Sequence, residues 1–147
     1  MREDFFMRLK EILKTAGIIF LCICAAVFAL ALYASPAFDR GDGYEVSLGK
    51  TSSAEQIVTE NPLLLKMFRS GVKGESVRYE GNRYEELKEA FDAELLFTET
   101  ECGVTNYYLY SQKLGGGVAL GGYLVNLHVA VRENRTAVGT PVIFGGF

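Results

Sequence analysis

Apolar residues follow three different rhythms along this chain. From Ala16 to Ala34 the run AGIIFLCICAAVFALALYA carries no charge and no polar stripe. As a helix at 1.5 Å per residue it would reach about 28 Å, close to the ~30 Å hydrocarbon core of a bilayer. A helix buried in a water-soluble domain keeps a polar face, so this run is expected to insert into a membrane. The preceding MREDFFMRLKEILKT places Phe5, Leu9 and Leu13 at helical spacing, with Phe6 and Ile12 beside them. Two readings of that leader stay open: an amphipathic segment on the inner membrane surface, or an extension of the apolar helix.

Helical spacing returns after residue 50. SSAEQIVTENPLLLKMFRSG reads as two short helices. Ser53 and Gln56 form a capping-box pattern, Asn61-Pro62 restarts the helix, and Gly71 ends it. ESVRYEGN reads as a strand. Asn82 then caps NRYEELKEAFDAELL, in which Tyr84, Leu87, Ala90, Phe91 and Leu95 share one side.

The third rhythm has period two. LLFTETE leads through Cys102-Gly103 into TNYYLYSQKL, and the glycines at 115–117 precede VALGG. In LVNLHVAVR, Val125, Leu127, Val129 and Val131 point one way, while Leu124, Asn126, His128, Ala130 and Arg132 point the other. That is a half-buried antiparallel strand, apolar on one side and mixed on the other. ENRT turns the chain into TAVGTPVIFGGF, where Pro141 suggests an edge strand or a bulge.

These rhythms predict an α+β fold: an antiparallel sheet of four to five strands with the Tyr84–Leu95 helix packed on one face, preceded by one N-terminal transmembrane helix. Residues 1–15 form a cytoplasmic leader and 16–34 the anchor. Residues 35–50, rich in Pro, Gly and Asp, form a linker that lifts an extracytoplasmic domain, 51–147, off the membrane.

Charge adds the orientation. Arg2, Arg8, Lys10 and Lys14 precede the apolar run, which favours a cytoplasmic N-terminus and an exported remainder. A cleaved signal peptide, with SPA at Ser35–Ala37 as a marginal site, is the rival reading and would give a secreted product. The apolar run exceeds the 7–15 residues typical of such signals. From Asp39 onward, eleven Lys and Arg face fifteen Asp and Glu, a net charge of −4. That balance and the compartment both argue against a nucleic-acid partner. Cys22 and Cys24 lie within the apolar run, and Cys102 is expected to be buried.

Candidate chemistry is sparse, and no catalytic residue, metal site or cofactor is implied. Arg40-Gly41-Asp42 is an integrin-type tripeptide too short to carry weight. The glycine run lacks the Lys-Ser/Thr of a phosphate loop. Asn134-Arg135-Thr136 is formally a glycosylation sequon, of consequence only in a eukaryotic secretory pathway. His128 is the one histidine, and a metal site there would need further ligands that the chain does not offer. Glu99 and Glu101 share a strand face and are the best carboxylate pair for a hydrolase, although a solvated edge explains them more simply. The surface expected to make contacts is the mixed face of the histidine strand: Asn126, His128 and Arg132, joined by Tyr108 and Tyr110 if that strand pairs alongside.

VNLHVAVR (Val125–Arg132), followed after a turn by VGTPVIFGGF (Val138–Phe147), resembles the closing signature of the YwmB family of spore-forming Gram-positive bacteria. The order of elements from about Val77 onward is similar as well. The chain is shorter than YwmB proteins, and Gly145-Gly146-Phe147 replaces their aromatic-acid ending. The resemblance implies an exported or anchored domain with a fold labelled TATA-box-binding-protein-like, and it carries over no catalytic residues. A shortened chain would leave a sheet edge open, and homodimerisation through that edge would close it. The functional expectation is a non-enzymatic envelope domain that binds a protein partner, in sporulation or wall assembly. A wall-acting enzyme and a nucleic-acid binder are the rivals.

Overall fold

The computed structural model describes every residue except Met1, Arg40, Lys50, Ser52, Gly146 and Phe147. Arg40 of the tripeptide and the last two residues of the C-terminal ending thus lie outside the described residues. The chain divides into two compact units, Met1–Ser35 and Pro36–Phe147.

The first unit is one helix, α1 (Arg2–Tyr33). Leader and apolar run belong to the same unbroken element. Its Phe5–Tyr33 stretch is long and apolar enough to cross a membrane, and its most apolar window buries nothing against protein. Ile18, Phe20, Leu21 and Phe28 are all more than half exposed. Water penalises such surface by about 25 cal/mol per Å², and lipid does not.

The second unit runs β1 (Asp42–Ser47), β2 (Gln56–Val58), α2 (Pro62–Phe68), β3 (Gly74–Glu80), α3 (Tyr84–Ala90), β4 (Ala93–Glu101), β5 (Val104–Ser111), β6 (Val118–Leu120), β7 (Tyr123–Val125), β8 (Leu127–Arg132) and β9 (Arg135–Thr140). Seven strands build one antiparallel sheet in the order β2-β1-β3-β9-β8-β5-β4, and β6 with β7 forms a separate hairpin. One sheet face is apolar at every second position. Tyr44, Val46, Val77, Leu109, Leu127, Val129 and Val138 are buried there, together with Tyr84 and Leu87 of α3. The Tyr84 ring stacks on Tyr107 at 3.8 Å, and Phe38 meets Phe91 edge-on at 5.5 Å.

The sheet is larger than the four to five strands expected, because β1, masked by its Pro, Gly and Asp neighbours, and the three-residue β2 both join it. The stretch 35–50 is no linker. Phe38 is 6% exposed and Val46 fully buried, and β1 lies between β2 and β3. Its glycines are accommodated by a bulge between Asp42 and Glu45, with Gly43 at φ +65°. The first of the two short helices is absent. Gln56–Val58 pairs with β1 instead, satisfying backbone groups that an isolated helical turn would leave open. The second helix forms as α2, with Pro62 at its start.

The Tyr84–Leu95 helix stops at Ala90. Asp92 reverses the chain at φ +47°, and Ala93 onward pairs with β5 over almost its whole length. Eight paired residues of ladder outweigh the helical spacing of Ala90, Phe91 and Leu95. Pro141 falls just past the end of β9, which is a central strand rather than an edge. Cys102 is exposed at the turn between β4 and β5, not buried.

The start of the domain is fastened by one carboxylate. Glu75 accepts from the Ala37 backbone N–H at 3.1 Å, from Lys66 Nζ at 2.5 Å and from the Tyr44 hydroxyl. Burial, then the Glu75 charge, pushes the Tyr44 phenol far above its ordinary range. Ala37 is thereby fastened to β3, next to the buried Phe38.

Candidate functional site

The second sheet face is the one the sequence assigned to contacts, and strand register arranges it in rows. Glu80, Arg135 and Arg132 are successive neighbours across β3, β9 and β8. The next row is Arg78, Ala137, Ala130 and Asn106. Then come Ser76, Gly139, His128, Tyr108 and Phe97.

The His128 row is covered. After β9 the chain folds back, and Ile143 donates its backbone N–H to His128 Nδ1 at 3.3 Å. Two glycines make room for this return. A Cβ on Gly139 would meet Ile143 N at 2.9 Å, and one on Gly74 would meet the Phe144 ring at 2.7 Å. Because Nδ1 accepts, Nε2 carries the proton and donates to Asn106 Oδ1 at 3.0 Å. The rings of Phe97, Tyr108 and His128 stack in series, each pair 4.5 Å apart. So β8 is buried on both faces, contrary to the half-buried strand expected.

His128 is held neutral: burial pushes its pKa down to about 4. The unfolded chain, with a pKa near 6.5, binds the proton that the folded chain refuses. Stability should therefore fall as pH drops from about 6.5 toward 4, by about 3 kcal/mol in full. Denaturant melts from pH 7 to 4 should show that loss, and His128→Gln should flatten the slope. An unchanged slope in the variant would show that carboxylates alone account for the acid lability.

The five expected contact residues separate. β5 does pair with β8, so Tyr108 and Tyr110 lie alongside as the condition required. Asn126, however, is fully buried. Its Oδ1 accepts from Ser111 N at 2.7 Å, and its Nδ2 donates to Ser111 O at 2.7 Å and Leu114 O at 2.9 Å. It is a brace for the chain leaving β5. His128 is 8% exposed and occupied by its neighbours. Tyr108 and Tyr110 are half-buried, and Arg132 is exposed. Burial, then nearby Glu99, raises the Tyr108 phenol. Glu99 and Glu101 are exposed on the edge strand β4. Among the described residues no three His, Cys, Asp or Glu side chains converge as a metal site would require.

Arg132 belongs instead to a cavity at the far end of this face. It has a volume of about 770 Å³ and is lined by Arg78, Arg132 and Arg135 with Glu80, Glu133 and Asn134. Arg78 is engaged, its Nη2 lying 2.5 Å from Glu45 Oε1. Arg132 and Arg135 stand directly opposite each other across the two-residue turn Glu133-Asn134. Like charges in register oppose the pairing, and among the described residues neither guanidinium has an ion-pair partner. ENRT forms the expected turn, and the turn sets the two arginines beside it face to face.

No family model, curated protein or solved structure matches the chain.

Proposed function

We propose that this chain is a membrane-anchored, extracytoplasmic, non-enzymatic binding domain, and that it grips an acidic segment of an envelope protein in the Arg78–Arg132–Arg135 cavity. The observation that carries this reading is the Arg132–Arg135 pair, two exposed cations in register at an open cavity. Guanidinium groups match carboxylates in bidentate geometry, and a pair left facing each other is relieved by an anion between them. A helix able to cross a membrane supports the anchor, and the basic leader supports a cytoplasmic N-terminus. The YwmB-like closing strands support a place in the envelope of a spore-forming Gram-positive bacterium.

The open edge β4 is the less suitable contact surface. It carries a bulge between Leu95 and Phe97 and three acids, Glu94, Glu99 and Glu101, features that discourage strand addition and hence a homodimer through that edge. A wall-acting enzyme would need Glu99 and Glu101 in a cleft, and they stand exposed on the same edge.

Two measurements test the proposal. In intact cells an impermeant maleimide should label Cys102, the exposed thiol outside the apolar helix, and Cys102→Ala should abolish the labelling. Labelling only after lysis would place the domain inside. The full chain in nanodiscs should bind a hexaglutamate probe, and Arg132→Ala or Arg135→Ala should weaken binding roughly 10- to 100-fold, the loss of one charge-assisted contact. Equal binding by wild type and variants, or equal affinity for hexalysine, would sink the cavity assignment.

A further inference from the structure

Helix α2 presents an apolar pair that the domain does not cover. Leu64 is 49% exposed and Phe68 83% exposed. They lie one turn apart, on the same side of the helix. Lys66 sits between them in sequence and points the opposite way, roughly 160° around the axis at 100° per residue, into its contact with Glu75. The apolar pair therefore faces away from the sheet. The exposed cations Arg69 and Lys73 follow it closely in the chain. Arg69 makes an exposed 3.7 Å pair with Glu55, an interaction of little strength.

The position of α2 in the fold decides what such a face would meet. The Glu75 carboxylate that takes Lys66 on one oxygen takes the Ala37 backbone N–H on the other. Thus α2 is one carboxylate away from Ala37, the second residue of the domain unit. Only residues 34–36 lie between Ala37 and the end of α1, a covalent reach of about 14 Å at most. If α1 spans a bilayer, this pole of the domain is the one held at the lipid surface.

We propose that α2 rests on that surface, with Leu64 and Phe68 in the headgroup region and Arg69 and Lys73 at the phosphates. The inference rests on the anchored reading above. The domain is acidic as a whole, but charges are screened beyond about 8 Å at physiological ionic strength, so the local cations decide the contact. A surface this small would not recruit a soluble protein to membranes. On a tethered domain it acts at high effective concentration and needs little intrinsic affinity.

The chain contains no tryptophan, so single-tryptophan variants report on one position each. The full chain would be reconstituted in phosphatidylcholine–phosphatidylglycerol vesicles with and without brominated acyl chains. Phe20→Trp probes the apolar helix, Phe68→Trp probes α2, and Asn134→Trp probes the β8–β9 turn at the other end of the strands. Bromolipid should quench Phe20→Trp and roughly halve the emission of Phe68→Trp, as expected at the headgroup–acyl boundary, while Asn134→Trp stays unquenched. Quenching of Phe20→Trp with Phe68→Trp no more affected than Asn134→Trp would overturn the docking of α2 and leave the anchor standing. An unquenched Phe20→Trp would overturn the anchor, and the docking with it.

Discussion

Replacing Asn126 with alanine is expected to lower domain stability by about 3–5 kcal/mol, a fall in Tm of roughly 10–20 °C for a domain of this size. The side chain is fully buried and serves three backbone groups: Ser111 N–H, Ser111 C=O and Leu114 C=O. These belong to the point where the chain leaves β5 for the β6–β7 hairpin, and no ladder partner can replace the amide there. Alanine would remove the partner and leave all three in a dry environment, each at a cost of about 1–3 kcal/mol unless water enters. Aspartate should be no better, since a carboxylate still accepts from Ser111 but repels the two carbonyls. Thermal melts of the full chain in detergent would decide it. A loss below about 1 kcal/mol would mean that residues 112–125 relax and hydrate, and that the brace is dispensable.

Asn126 also marks the limit of what the sequence discloses. Alternation in LVNLHVAVR located β8 and sorted its side chains onto two faces correctly. What alternation cannot show is whether a polar face meets water. Here the His128 row is covered by residues returning after β9, for which Gly139 and Gly74 leave room, and Asn126 is enclosed by the chain leaving β5 at Ser111 and Leu114. An Asn and a His in the mixed set are therefore internal partners instead of contact residues. The β1 signal was present in the alternation of Tyr44, Glu45, Val46 and Ser47, but neighbouring Pro, Gly and Asp masked it. β2 offers three residues, too few for any period. The end of α3 was illegible for another reason: Leu95 fits the helical spacing of Tyr84, Leu87 and Phe91 as well as a strand alternation with Ala93, and only pairing with β5 chooses between them.

The arginine cavity was legible in principle. A two-residue turn places the residues flanking it in direct register, so reading Glu133-Asn134 as the turn already implies Arg132 opposite Arg135. Arg78 could not be added in the same way. Its approach to them depends on β3 pairing with β9, a contact between strands more than fifty residues apart in sequence.

Lys66→Met should be nearly as damaging as loss of Asn126, at about 3–5 kcal/mol, and Glu75→Gln should restore part of that loss. Side-chain exposure is 14% for Lys66 and 9% for Glu75, and their charged atoms are 2.5 Å apart. Removing the ammonium leaves a carboxylate in a site where it still receives Ala37 N–H and the Tyr44 hydroxyl but has lost its counter-charge. Glutamine at position 75 removes that stranded charge while keeping an acceptor for the two neutral donors. In a double-mutant cycle the pair should therefore show a coupling of about 1–3 kcal/mol, with the double variant more stable than Lys66→Met alone. Simple additivity would mean that each side chain contributes by packing and that the charges are incidental. The outcome bears on more than stability, because this carboxylate joins three other parts of the chain. It holds Ala37 near the start of the domain, orients α2 through Lys66 and takes the Tyr44 hydroxyl from β1. Loosening it would free α2 and the residues after α1 together, so Lys66→Met should also weaken the lipid contact read at Phe68→Trp while leaving the Phe20→Trp signal unchanged.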